Sequence, residues 1–144
     1  MTTSSSLTEK RKILVVEDDE DIRSLLHHVL RDGGYDVLCV DDGITALTAL
    51  SEMSTDLILL DMAMPGMDGL TFLAQRANLP KCRDIPVICV TARDRNSDVK
   101  AAIELGADNY ITKPFDNEIL LACVARLLPA KTLRKDGDAM PARK

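Results

Sequence analysis

Apolar positions along this chain follow two different periods. Residues 13–16 (Ile, Leu, Val, Val), 57–60 (Leu, Ile, Leu, Leu) and 86–90 (Pro, Val, Ile, Cys, Val) are short continuous runs. Runs of this length between turn signals predict strands buried on both faces. Pro86 is tolerated there because it opens its run. Residues 35–40 and 109–111 predict two further strands. The segments between them switch to helical spacing. Ile22, Leu25, Leu26, Val29 and Leu30 fall at i, i+3, i+4, i+7 and i+8, and Gly33-Gly34 ends that stripe. Ile44, Leu47 and Leu50 follow the Asp41-Asp42-Gly43 turn. Leu70, Leu73, Ala74 and Ala77 follow Asp68, a helix-capping residue type. Val99, Ala102 and Ile103 stop at Gly106, and a last helix is expected over residues 115–128, closed by Pro129.

Five strands alternating with five helices predict an α/β fold, a five-stranded parallel sheet covered on both faces. The expected strand order is 2-1-3-4-5, a flavodoxin-like three-layer sandwich with its switch point between the first and third strands. Ligands of such sheets bind at the carboxyl edge. Glu17 and Asp18 follow the first strand there, Asp61 the third, Thr91 the fourth and Lys113 the fifth. Each is a weak signal alone, since loop carboxylates are common. Convergence from four strand ends makes them a candidate site.

Composition narrows the classes. A chain of 144 residues fits one domain, expected over residues 11–130, with a disordered tail over 1–10 and a basic tail or linker stub over 131–144. The balance of 46% hydrophobic and 28% charged residues is that of a soluble globular protein. No apolar run approaches the ~20 residues needed to span a bilayer, and the start has no apolar signal core, so a cytoplasmic protein without membrane contact is expected. Cys39, Cys89 and Cys123 read as small core residues of a reduced protein, and Cys82 as a loop residue. The adjacent His27 and His28 read as partly solvated helix residues. The net charge of −5 divides as +2 over residues 1–12, +3 over residues 130–144 and −10 between them. So acidic a centre excludes direct nucleic-acid binding by this domain.

The chemistry of the edge follows from its charges. Two carboxylates about 4 Å apart repel by about 4 kcal/mol at an effective dielectric near 20. A hard divalent cation relieves this, and carboxylate and carbonyl oxygens suit Mg²⁺, or Mn²⁺. A carboxylate beside that ion can attack phosphorus as a nucleophile. Lys113 can neutralise phosphoryl oxygens and Thr91 can donate a hydrogen bond to one.

Over about residues 11–130 the sequence resembles the receiver domain of two-component response regulators. The motifs are Val15-Val-Glu-Asp18, Asp61 followed by Met64-Pro65-x-Met67-Asp-Gly69, Val90-Thr91-Ala92 and Lys113-Pro114-Phe115. The resemblance implies that Asp61 accepts a phosphoryl group from a phosphohistidine on a sensor histidine kinase or histidine phosphotransfer protein. It implies Mg²⁺ placed by Glu17 and Asp18, with Asp18, Asp61 and the backbone carbonyl of Ala63 as direct ligands. It further implies Thr91 and Tyr110 as a switch pair, a cis Lys113–Pro114 bond, and a downstream effector docking on the face within residues 92–128. A homodimer is left open. Ala63 and Arg93 depart from commoner receivers at two positions flanking the phosphoryl site, which bears on how long a phosphate lasts.

Four rivals stand beside that reading. A flavin binder of the same topology needs a phosphate-binding loop after the first strand, where residues 17–21 are all acidic. An aspartate-nucleophile phosphatase wants a second acid two residues past its nucleophile, where Ala63 stands. A docking module that is never phosphorylated does not need the full set Glu17, Asp18, Asp61, Thr91 and Lys113. The chain can also be the receiver fragment of a longer DNA-binding transcriptional regulator.

Overall fold

The structure, a computed structural model, describes residues 10–64, 67–92 and 96–128. Both expected tails apart from Lys10, together with Pro65, Gly66, Arg93 and Pro129, lie outside the described residues. The chain alternates β1 (Lys12–Val16), α1 (Glu20–Asp32), β2 (Asp36–Val40), α2 (Gly43–Glu52), β3 (Leu57–Asp61), α3 (Gly69–Ala77), β4 (Val87–Ala92), α4 (Asn96–Glu104), β5 (Asn109–Lys113) and α5 (Asn117–Leu127). All strand pairs are parallel, in the order β2-β1-β3-β4-β5. This is the doubly wound arrangement expected from the alternation of periods.

Successive strand residues face opposite sides of the sheet, and two cores result. Leu14, Val16, Ile58, Leu60, Val87 and Cys89 pack with Ala46, Leu50, Phe72, Leu73 and Ala102 of α2, α3 and α4. Ile13, Val15, Leu57, Leu59, Ile88, Val90 and Ile111 pack with Leu26, Leu30, Leu120 and Val124 of α1 and α5. Burial on both faces explains why these strands read as continuous apolar runs. Each fully buried Leu or Ile is worth about 1.5–3 kcal/mol relative to exposure.

Aspartate side chains set four helix starts. Asp19, Asp42, Asp68 and Asp116 accept hydrogen bonds from the backbone N–H groups of Ile22, Thr45, Thr71 and Glu118. The cap on Asp116 starts α5 at Asn117, two residues later than the spacing predicts, and leaves Phe115 packed against the α1–α5 core. Tyr35 is not a strand residue: its N–H donates to Leu30 O at the end of α1, at 3.2 Å. β4 and β5 run further than their apolar runs, so Thr91 and Lys113 are strand residues.

Several cysteine and helix positions also differ from expectation. Cys82 is in the turn after α3, as expected, yet it is buried in the core beneath that turn. Cys39, expected in the core, is half-buried because β2 is an edge strand. His27 is half-buried and His28 exposed. Among the described residues no helix is long and apolar enough to cross a membrane.

Candidate functional site

Strand register brings the predicted residues together. Val16 lies opposite Leu60, so Glu17 and Asp61 leave the sheet side by side. Asp61 lies opposite Val90, and Thr91 and Ala92 lie opposite Thr112 and Lys113. Alternation then selects a face. Glu17, Asp61 and Lys113 each continue the phase of Ile13 and Val15, Leu57 and Leu59, and Ile111, the residues of the α1–α5 core. The distances follow: Lys113 Nζ is 3.5 Å from Glu17 Oε1 and 3.5 Å from Asp61 Oδ1.

Glu17, Asp18 and Asp61 each offer a carboxylate oxygen, all within 4.8 Å of one another. Their burial differs sharply. Glu17 is 1% exposed and Asp61 4%, whereas Asp18 is exposed. Glu17 Oε2 accepts the Asp19 N–H at 3.1 Å, but the buried Oε1 accepts no hydrogen bond from the described residues and lies 3.5 Å from Lys113 Nζ. Burial, then repulsion from Asp61, raises the Glu17 pKa to about 7. Asp18 is also raised, by desolvation and by its interaction with Asp61. A buried carboxylate oxygen with no donor among the described residues, in a cluster of acids facing Lys113, is a donor set that suits a hard cation.

The flanking groups fall into place unevenly. Ala63 is exposed, and its N–H donates to Asp61 Oδ1 at 3.1 Å. Thr91 is buried in the opposite strand phase, and its hydroxyl donates weakly to Ala92 O at 3.4 Å. Tyr110 is 45% exposed on β5. The Lys113–Pro114 bond is cis. Arg93, the other flanking position, lies outside the described residues.

One contributor is invisible to strand-end reasoning. Arg23, on the first turn of α1, donates from Nη1 to the carbonyl oxygens of Glu17 at 3.0 Å and Asp18 at 3.3 Å. No sequence motif singles it out. The signal available was its position on a helix that starts just after the acidic turn, because helical side chains lean back toward the N-terminus.

A doubly wound parallel sheet with a carboxylate cluster and a lysine at its switch point defines the CheY-like receiver class. The chain belongs to the response regulator receiver domain family, whose model matches residues 13–125. It is similar to the signal receiver domain of a signal transduction histidine kinase from Syntrophus aciditrophicus, at 35% identity over 92% of this chain and 99% of that one, with a TM-score of 0.77. It is likewise similar to chemotaxis protein CheY4 of Vibrio cholerae, at 30% identity over 83% and 99% of the two chains, with a TM-score of 0.79. A third relative is the receiver domain of a sensor histidine kinase from Pseudomonas aeruginosa PAO1, solved with a magnesium ion coordinated in its active site cleft. There the identity is 30% over 82% of this chain and 97% of that one, with a TM-score of 0.76.

Proposed function

We propose that this domain receives a phosphoryl group on Asp61 from a phosphohistidine of a sensor histidine kinase or histidine phosphotransfer protein, with Mg²⁺ or Mn²⁺ bound, and passes the signal to an effector. The observation that carries this reading is the meeting of Glu17, Asp18 and Asp61 within 4.8 Å, faced by Lys113. Asp18, Asp61 and the Ala63 carbonyl would be the direct metal ligands, with Glu17 placing the ion. The magnesium ion coordinated in the active site cleft of the Pseudomonas relative supports the choice of ion. The bound ion supplies positive charge that draws phosphoryl oxygens to the carboxylates.

The chain's own residues account for the rest. An Asp61 carboxylate oxygen attacks phosphorus, and the bond to the donor's imidazole nitrogen breaks with its electron pair leaving on that nitrogen. Lys113, already 3.5 Å from Asp61 Oδ1, stabilises charge on the phosphoryl oxygens. The Ala63 N–H fixes the orientation of the Asp61 carboxylate before reaction. Thr91 turns toward the new phosphate, and Tyr110 responds on the neighbouring strand. That response alters the face within residues 92–128, where Tyr110 and Ile119 border one groove with Phe115. Exposed apolar side chains there suit a protein partner.

Incubation with acetyl phosphate and Mg²⁺, followed by intact mass measurement, tests the acceptor. Wild type should gain one phosphoryl mass and Asp61→Asn none. Equal gain by the variant would show that another residue is the acceptor.

A further inference from the structure

The acidic turn between β1 and α1 has to hold two like-charged side chains toward a third. Its own side-chain chemistry opposes that. Backbone anchors must therefore fix it. The Glu17 N–H donates to Val40 O at 3.0 Å, which ties the turn to β2. The Asp19 N–H donates to Glu17 Oε2 at 3.1 Å. Asp19 caps α1 through the Ile22 N–H. The Arg23 side chain adds two bonds, to Glu17 O and Asp18 O. These two carbonyls belong to the peptide units on either side of the Asp18 Cα. Holding both units fixes the direction of the Asp18 Cα–Cβ bond. This matters for Asp18 in particular, because its exposed side chain is not packed into place as that of Glu17 is.

We infer that Arg23 is a positioning residue for the metal pocket, acting through the backbone of Glu17 and Asp18 to aim the Asp18 carboxylate at Asp61. The inference rests on the reading of the acidic cluster as a Mg²⁺ site. Arg23 could influence that site in a second way, as a cation beside three acids, and the two effects have opposite signs. Charge alone would repel Mg²⁺, so removing it would tighten binding. Positioning requires that removing the side chain weaken binding.

The test is a calorimetric Mg²⁺ titration of the 144-residue chain. It uses wild type, Arg23→Gln and Arg23→Lys at constant ionic strength, with melting in chelator recorded for each. Arg23→Gln should bind Mg²⁺ about tenfold more weakly, the lower end of what loss of a group orienting a metal ligand costs. Arg23→Lys keeps the charge and part of the reach, and should fall between the other two. Binding by Arg23→Gln as tight as wild type, or tighter, overturns the inference. If Arg23→Gln does not fold, Arg23→Lys decides alone: wild-type affinity there overturns the positioning role. A separate readout does not depend on the metal. In chelator, the Asp19 amide should exchange with solvent faster in Arg23→Gln than in wild type, and equal rates also overturn the role. Wild type that binds no Mg²⁺ while Asp19 exchange still responds to Arg23 would refute the metal reading, and leave Arg23 an anchor of the turn without a metal to serve.

Discussion

Glu17 is the residue at which the proposed function conflicts with stability. It is buried, its Oε1 accepts no hydrogen bond from the described residues, and its pKa is raised from 4.5 to about 7. Between those values the folded state holds a proton that the unfolded state has released. Without metal, stability should therefore fall as pH rises from about 4.5 to 7 and level off above. Glu17→Gln should remove this slope and raise the melting temperature in chelator at pH 8 by several degrees, since a domain of this size moves by about 3–6 °C for each kcal/mol. Mg²⁺ should stabilise wild type more than this variant, by about 2.7 kcal/mol for wild type at 100 times the dissociation constant. Thermal melts in chelator across pH, and again with Mg²⁺, check both statements. An unchanged slope in the variant would remove Glu17 as its source. Asp18, being exposed, should show a smaller metal-free effect. That inequality was not legible in the sequence, where Glu17 and Asp18 are neighbours of equal charge. It arises from strand phase: Glu17 continues the buried alternation of Ile13 and Val15, and Asp18 steps out of it.

At the scale of elements, periodicity located every strand and helix but misjudged which way several helices face. Ile44 and Ile103 were expected on buried stripes and are 66% and 51% exposed. Leu25, on the α1 stripe, is exposed too. The buried neighbours include Ala46, Ala49, Ala102 and Leu120, so on α2 and α4 small residues bring the helix close to the sheet. A hydrophobicity period weights the large side chain and so points one residue to the side. Two glycines mark the same closeness at helix starts. A Cβ on Gly69 would lie 2.7 Å from the Met62 Cα, which is backbone, whereas on Gly43 it would meet the Met67 Sδ at 2.7 Å, near the end of a flexible side chain. Gly69→Ala should therefore cost about 1–3 kcal/mol, the usual penalty of overpacking. Gly43→Ala should cost less, because the thioether can turn away. Denaturant unfolding of the two variants measures the difference, and equal losses would contradict the distinction between backbone and side-chain contact.

For the whole molecule, the order β2-β1-β3-β4-β5 followed from alternating periods and the handedness of crossovers, and it brought Glu17, Asp61 and Lys113 to one edge. The distant residues could be assembled from the sequence because each terminates a run whose length and phase are fixed by burial. Arg23 could not, since its contribution runs through a helix side chain to backbone carbonyls. The same architecture frames the proposed switch. Thr91 and Tyr110 lie on adjacent strands, two residues past Cys89 and opposite Cys89 respectively. A phosphate at the edge can bias both. Amide signals should shift on β5 and α5 as well as in the pocket when acetyl phosphate and Mg²⁺ are added. Shifts limited to the turns after β1 and β3 would confine the effect to the site.

The proposed function turns on which of three clustered carboxylates carries the phosphate. An acyl phosphate is reduced by borohydride to an alcohol, which converts an aspartyl phosphate into homoserine at that position alone. Wild-type protein treated with acetyl phosphate and Mg²⁺, reduced, digested and sequenced by mass spectrometry should carry homoserine at position 61, with Glu17 and Asp18 intact. Reduction at residue 17 or 18, or at none of the three in protein that has gained phosphoryl mass, would contradict it.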